Sequence, residues 1–458
     1  MSVDLVIASN RGPLSFGYDE AGALVARQGA GGLVSSLGPL VEGSGSTWVA
    51  AAMSDADRAA AAAGLAQAEG FKHRLVDIEP AIYHPAYDVV ANATLWFLNH
   101  RLFDLSRSPR IDAAWRHAWD CYRLVNARFA EAIMQDAPRG ATVLVQDYHL
   151  ALVGSSLLKE RPDLRAVHFT HTPFMDPIDL RVLPDEVAAE LMDGMASFRA
   201  CGFHTRAWAD AFGRCAVATS GTVTRCFVAP LAPDAANLAT VAASAACVQA
   251  ADDLEQIVGD RRVILRVDRI ELSKNLLRGF LAFDELLSNA PQWRERVVFV
   301  AFVYPSREAL DSYTTYRNEV VALVERINER WATTGWTPIV LDMRDDFPRS
   351  VAALQRYDVL LVNPVRDGLN LVAKEGPLVN QRDGVLVLSR EAGVWEELGG
   401  AALSINPFDV SGTAGALSEA LSMDNAGRTS HARELRCLAA GRSPKDWLDD
   451  QLAASLAG

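Results

Sequence analysis

The chain has 458 residues, half of them hydrophobic and 22% charged, which is material for two or three globular domains. Its formal net charge of -13 excludes a broad nucleic-acid surface or an anionic membrane as the main partner, so phosphate must be met by a few placed cations. The six cysteines (Cys121, Cys201, Cys215, Cys226, Cys247, Cys437) show neither C-x-x-C nor metal spacing and read as small buried residues of a reducing compartment.

Residues 1–8 lack a basic region and enter a strand at once, and no apolar run approaches membrane-spanning length, so the expected address is cytoplasmic. Strands are predicted at 5–9, 48–52, 142–146, 167–170, 263–267, 297–302, 339–342, 359–362, 385–388 and 402–405, with helical patterns between them. Continuous apolar strands joined by crossover helices imply α/β architecture with parallel sheet covered on both faces. The alternation loosens over 230–252, where Ala235, Ala236, Ala239, Ala242, Ala243, Ala245 and Ala246 cluster. That segment reads as a partly helical connection between two Rossmann-like halves, 1–235 and 236–439, with 440–458 expected to pack back on the first. Doubly wound domains place ligands outside the carboxyl ends of their strands, here expected in a cleft between the halves.

The strand ends carry the chemistry. After the first strand comes Ser9-Asn10-Arg11-Gly12-Pro13, where Arg11 suits bidentate contact with a phosphoryl group. Gly29-Ala30-Gly31-Gly32-Leu33-Val34 leads into an apolar helix and lets backbone approach a diphosphate, although Val34 at the third glycine position disfavours a nicotinamide cofactor. Gln146-Asp147-Tyr148-His149 puts a carboxylate at a strand end, where it can hold a sugar hydroxyl, and His168-Phe169-Thr170-His171-Thr172-Pro173-Phe174 does the same with His171. In the second half, Arg266-Val267-Asp268-Arg269-Ile270-Glu271-Leu272-Ser273-Lys274-Asn275 offers two cations, Arg269 and Lys274, to stabilise the charge left on a departing diphosphate. Arg307 follows another strand, aimed at the cleft, where it is expected to meet Arg11. Finally, Arg366-Asp367-Gly368-Leu369-Asn370-Leu371-Val372-Ala373-Lys374-Glu375 opens a helix directly after a strand, so its first amides suit a diphosphate and Glu375 a ribose. Phosphate, sugar and ribose contacts together suggest a nucleotide-sugar site. Taken singly, each segment also fits a capped turn, a surface arginine or a solvated loop.

Taken in order, these motifs resemble the trehalose-6-phosphate synthase family, retaining glycosyltransferases of family GT20 with the GT-B fold. The resemblance runs from Ser9-Asn10-Arg11 to Asn406-Pro407-Phe408-Asp409 and includes the AGGL loop at 30–33, Asn92-Ala93-Thr94-Leu95-Trp96, QDYHL, HTPF, VDRIELSK and RDGLNLVAKE. It implies donor binding by Gly31, Gly32, His171, Arg269, Lys274, Asp367, Gly368, Leu369, Asn370, Leu371 and Glu375, and acceptor binding by Arg11, Tyr87, Trp96, Asp147 and Arg307. Catalysis would rest on Arg269, Lys274, Asp147 and His171, by front-face displacement without a metal or other cofactor. The implied substrates are UDP- or GDP-glucose and a sugar phosphate, glucose 6-phosphate first, giving trehalose 6-phosphate; a homo-oligomer is left open.

One departure bears on the acceptor. The family has Trp-x-Gly-Trp near the second strand, whereas this chain reads Trp48-Val49-Ala50-Ala51. A missing aromatic keeps a cyclitol phosphate or another phosphorylated metabolite in view, as in pseudo-glycosyltransferase relatives, and the segment Arg344-Asp345-Asp346-Phe347 differs where the base should lie. Two other readings are a catalytically silent regulatory subunit and a glycogen-synthase-like polymerase, which would not need the Arg11/Tyr87/Arg307 cluster.

Overall fold

The computed structural model describes residues 4–28, 32–64, 72–221 and 225–457. The chain divides into two compact units, Met1–Leu231 with Pro444–Gly458, and Ala232–Ser443.

The first unit is built on β1 (Leu5–Ala8), a hairpin of β2 (Leu14–Tyr18) and β3 (Leu24–Gln28), β4 (Thr47–Ala51), β5 (Lys72–Val76), β6 (Thr142–Gln146), β7 (Arg165–Thr170), β8 (Cys201–Phe203) and β9 (Cys226–Val228). Its seven-stranded sheet has the order β5-β4-β1-β6-β7-β8-β9 and is parallel throughout. β6 is buried at every position, as a central strand covered on both faces requires. The second unit carries β10 (Arg262–Ile270), β11 (Val297–Pro305), β12 (Ile339–Asp342), β13 (Val359–Val362), β14 (Val385–Ser389) and β15 (Leu403–Ile405). They pair in parallel in the order β12-β11-β10-β13-β14-β15.

In each sheet the winding reverses beside its first strand. Chain order runs one way from β1 through β4 to β5 and the other way from β6 to β9, so the switch lies between β1 and β6. The same argument puts the second switch between β10 and β13. A crevice opens at such a point because the adjoining loops leave in opposite directions.

The predicted strands are all found, and the described residues add five that apolar runs do not reveal. β5, Lys-His-Arg-Leu-Val, is a polar edge strand alternating in burial, the β2–β3 hairpin is antiparallel, and β8 and β9 have three residues each. The alanine-rich segment is corrected from a connection to two helices of the second unit, Ala235–Ala242 and Ala245–Val258. Leu238 and Cys247 on them are buried against Val351 and Ala352. Most of the clustered alanines are exposed; the packing face is made by Leu238 and Cys247 with the partly buried Val241, Ala242, Ala250 and Ala251. The last helix, Pro444–Leu456, belongs to the first unit, where Trp447 is fully buried. All six cysteines are free thiols, and no described helix is long and apolar enough to cross a membrane.

Candidate active site

At the switch of the second sheet, β10 carries a buried charge ladder. Arg266 and Asp268 stand two apart on one strand face, and Arg266 Nε donates to Asp268 Oδ2 at 2.9 Å. Arg266 Nη2 also donates to Asn363 Oδ1 at 2.6 Å, tying β10 to the end of β13, and to the Lys274 carbonyl at 2.5 Å. The loop after β10 is thereby fixed. Asn275 closes it in the left-handed region (φ 60°), which asparagine tolerates, and its side chain donates to the carbonyls of Asn363 and Pro407.

On this frame Lys274 reaches the other motif. Its Nζ lies 2.6 Å from Asp367 Oδ2 and 3.6 Å from Asp268 Oδ1. Burial acts to lower the ammonium, but Asp367 and Asp268 overcome it and the net shift is upward, so Lys274 stays a cation. Asp367 is pinned through its backbone to Glu391 and Gly393 beyond β14. Its Oδ2 also accepts from Asn370 Nδ2 at 3.1 Å, while Asn370 Oδ1 accepts from the Ala373 amide at 3.2 Å. Asn370 has φ 85°, the turn that starts the helix Val372–Val379. Leu369 is buried, with its carbonyl bonded to the Val394 amide, and the Leu371 carbonyl accepts from the amides of Lys374 and Glu375. Gly368 lies in the same turn. Glu375 sits half-buried on the first turn of the helix, and desolvation pushes its carboxyl up to about 7.

Arg269 stands beside these groups on Glu271. The buried Glu271 Oε1 accepts from Arg307 Nη1 at 2.9 Å and from Ser306 Oγ at 3.1 Å, and lies 3.2 Å from Arg269 Nε. One carboxylate thus holds two guanidiniums whose mutual repulsion would otherwise part them. Arg307, in the left-handed region at φ 48°, also bonds the Tyr313 hydroxyl. The structure therefore groups Arg307 with Arg269, Glu271 and Tyr313.

In the first unit, the switch point presents Arg11 after β1 and Asp147 after β6. Trp48 Nε1 donates to Ser9 Oγ at 2.7 Å, and Ser9 Oγ donates to the Arg11 carbonyl at 2.6 Å, which shapes the turn. Gly12 is required there, since a Cβ would stand 2.2 Å from the buried His73 Nε2. Exposed Arg11 donates from Nη2 to the Tyr87 hydroxyl at 3.4 Å. Tyr87 lies on a π-helical stretch, Pro85–Leu95, and stacks between Tyr83 and His149 at 5.4 and 5.7 Å. Trp96 follows on the same helical run, but it is buried, with its ring 4.2 Å from that of His100. Ala51 ends β4, its amide bonded to the Asn10 carbonyl beside Arg11.

Asp147 has φ 71° and ψ 166°, a conformation that glycine adopts and other residues avoid. Four bonds hold it there: its amide donates to the Phe169 carbonyl, its carbonyl accepts from Leu150 N and pairs with His168 Nε2, and its Oδ1 accepts from His171 N. The His171 ring is also engaged, Nε2 with Gln146 Oε1 at 3.0 Å and Nδ1 with His204 Nε2 at 3.2 Å. A contact from this ring to a sugar would require one of those bonds to open. Of the remaining expected residues, Gly32 opens the helix Gly32–Val41, and Gly31 lies outside the described residues.

Reading by motif missed the supporting groups: Asp268, Glu271, Asn363, Gln146 and His204. A signal existed for Arg266 and Asp268, because opposite charges two apart in a buried strand must pair with each other. His204 offered none, since its partners Leu231 and His171 are 27 and 33 residues away.

Two doubly wound parallel α/β units with charged groups at their switch points are the architecture of the GT-B fold. The chain belongs to glycosyltransferase family 20, whose model matches residues 3–455. A bifunctional trehalose-6-phosphate synthase/phosphatase of Thermoproteus tenax is 34% identical over 74% of this chain, and the match spans 47% of that protein, about half its length. The trehalose-6-phosphate synthase of Mycolicibacterium vanbaalenii is 32% identical over 91% of this chain and 89% of its own. Among solved structures, an alpha,alpha-trehalose-phosphate synthase (UDP-forming) from Burkholderia xenovorans in complex with glucose-6-phosphate is similar at TM-score 0.86 and 26% identity, covering 99% of this chain and all of that one. One described as "Trehalose-6-phosphate from E. coli bound with UDP-2-fluoro glucose" has TM-score 0.85 and 25% identity, with 99% of each chain covered.

Proposed function

We propose that the chain transfers a glucosyl unit, with retention of configuration, from UDP- or GDP-glucose to a sugar phosphate, glucose 6-phosphate foremost, giving trehalose 6-phosphate. The observation that carries this reading is the meeting of Lys274, Asp367 and Asn370 at one switch point with Arg269 beside them. Arg269 and Lys274 bind the donor diphosphate and stabilise it as it leaves, and Asp367 meets the donor sugar. Gly32 and the backbone from Gly368 to Leu371 line the donor, and Glu375 holds its ribose. Arg11, Tyr87 and Arg307 take the acceptor phosphate and Asp147 lines the acceptor sugar, which Trp96, buried against His100, could reach only by becoming exposed. The acceptor hydroxyl attacks the face from which the diphosphate departs, and the leaving phosphate oxygen takes its proton. The charge balance needs no metal when two fixed cations face the diphosphate. Support comes from the relatives, which include structures with glucose-6-phosphate and with UDP-2-fluoro glucose, and one that concerns glycosyltransfer with retention.

The small Ala51 next to the Arg11 turn keeps the acceptor sugar open, with a cyclitol phosphate as the second reading. Mass spectrometry of products from UDP- and GDP-glucose against a panel of phosphorylated and free sugars tests the whole proposal. The expected product is a disaccharide phosphate; transfer to free glucose or an oligosaccharide, with none to phosphorylated acceptors, would overturn it. Charge-assisted contacts contribute about 1.5 to 3 kcal/mol each, so replacing both Arg269 and Lys274 by alanine should lower turnover by about two to four powers of ten. Parent-like turnover in that folded double variant would remove the leaving-group role.

A further inference from the structure

His204 belongs to none of the motifs that define the site, yet it stands at the centre of a hydrogen-bond chain with a fixed direction. It follows β8, is 4% exposed, and receives the Leu231 amide at Nδ1 over 3.3 Å. A backbone amide only donates, so Nδ1 of the neutral ring holds a lone pair and the proton sits on Nε2. That proton faces His171 Nδ1 at 3.2 Å, which must accept it. The proton of His171 is then on Nε2, 3.0 Å from Gln146 Oε1. Gln146 Nε2 continues the chain to Gln451 Oε1 at 2.9 Å on the helix Pro444–Leu456. Phe169 and Trp447 confine the His171 ring, with centroids at 5.0 and 5.6 Å. At the other end of the same residue, the His171 amide donates to Asp147 Oδ1 at 3.1 Å.

We propose that His204 is a positioning residue for the transfer reaction: it selects the Nε2–H tautomer of His171, locks that ring onto Gln146, and so keeps the His171 amide on the Asp147 carboxylate. The inference rests on the reaction proposed above, in which Asp147 lines the acceptor sugar. A second proton on His171 Nδ1 would oppose the His204 Nε2–H, so the arrangement holds only while both rings are neutral. Glutamine is the conservative test of the mechanism. Its carbonyl oxygen can accept from Leu231 N while its amide donates to His171 Nδ1, whereas leucine can do neither.

Nitrogen-15 imidazole spectra of the labelled full chain read the tautomer directly, and kinetics with varied acceptor read its consequence. The expected result is an Nε2–H His171 in the parent and in His204→Gln, with parent-like turnover in both. In His204→Leu the His171 signal should shift away from that tautomer, and kcat/KM for the acceptor should fall about ten- to hundredfold, the usual cost of small misplacement. An Nδ1–H or cationic His171 in the parent at neutral pH overturns the proposal. So does a folded His204→Leu with unchanged tautomer and turnover. If His204→Leu does not fold, His204→Gln decides, because loss of the Nε2–H pattern in that variant is equally fatal. A parent chain that transfers to no sugar phosphate would sink the proposed reaction, while the tautomer spectra would still judge the hydrogen-bond chain.

Discussion

Asp147 concentrates the local cost of the site in one residue. Its φ of 71° and ψ of 166° lie where a Cβ is crowded, and such residues are strained by roughly 1 to 3 kcal/mol, held by surrounding bonds. Asp147→Gly should therefore unfold at a higher urea midpoint than Asp147→Ala, with a stability gap of about 1 to 3 kcal/mol. Both variants lose the carboxylate and should lose acceptor turnover alike. Equal midpoints would show that the backbone is relaxed there. The sequence made Asp147 visible as a strand-end carboxylate, but its strain comes from bonds to Phe169, His168 and His171, which only the pairing of β6 with β7 supplies. Glu271 repeats the lesson. It stood inside a recognised motif, yet its hold on Arg307 spans 36 residues and depends on β10 and β11 being neighbours.

At the scale of an element, the helix Val372–Val379 was the most legible part of the site, because a strand, a turn and a helix start are contiguous in sequence. What was not legible is the charge state of its Glu375, which follows from burial. With a carboxyl pushed up to about 7, Glu375 is partly protonated at neutral pH, and the ionised form, with both oxygens accepting and the bonds charge-assisted, holds two ribose hydroxyls more strongly. Donor binding should favour ionisation and so release a proton near neutrality. Donor KM should consequently rise as pH falls through about 7, and Glu375→Gln should show a higher KM that no longer follows pH over that range. A pH-independent KM in the parent would detach Glu375 from the ribose. The alanine-rich segment shows the converse: its composition suggested a connection, and only contact with Val351 and Ala352 shows two packed helices.

For the whole molecule, buried histidines set the acid limit. Burial lowers His73 and His168 to about 4, and burial with help from His168 lowers His171 to about 3, against 6.5 for a free ring. A group with a depressed folded pKa binds more protons when unfolded, so its contribution is complete above 6.5 and is lost as pH falls toward 4. Glu375 opposes this, since its raised pKa makes the folded state bind the extra proton between about 4.5 and 7. Three histidines outweigh one carboxyl, and unfolding should take up about two protons in that window. The unfolding midpoint should thus drop steeply from pH 6.5 to about 4.5, and His168→Gln should flatten the slope. A midpoint that stays level across the window would contradict neutral burial of these rings.

By itself the sequence determined the α/β class, ten of the strands and the motif residues at their ends, because hydrophobic runs and strand-loop-helix junctions are local. The tertiary structure alone decided which strand ends meet. It put β10 beside β13, so Lys274 finds Asp367 93 residues away, and it placed Arg307 with Arg269 on Glu271 and His204 behind His171. Sheet order is set by packing between distant segments, and no pattern within any one of them records it.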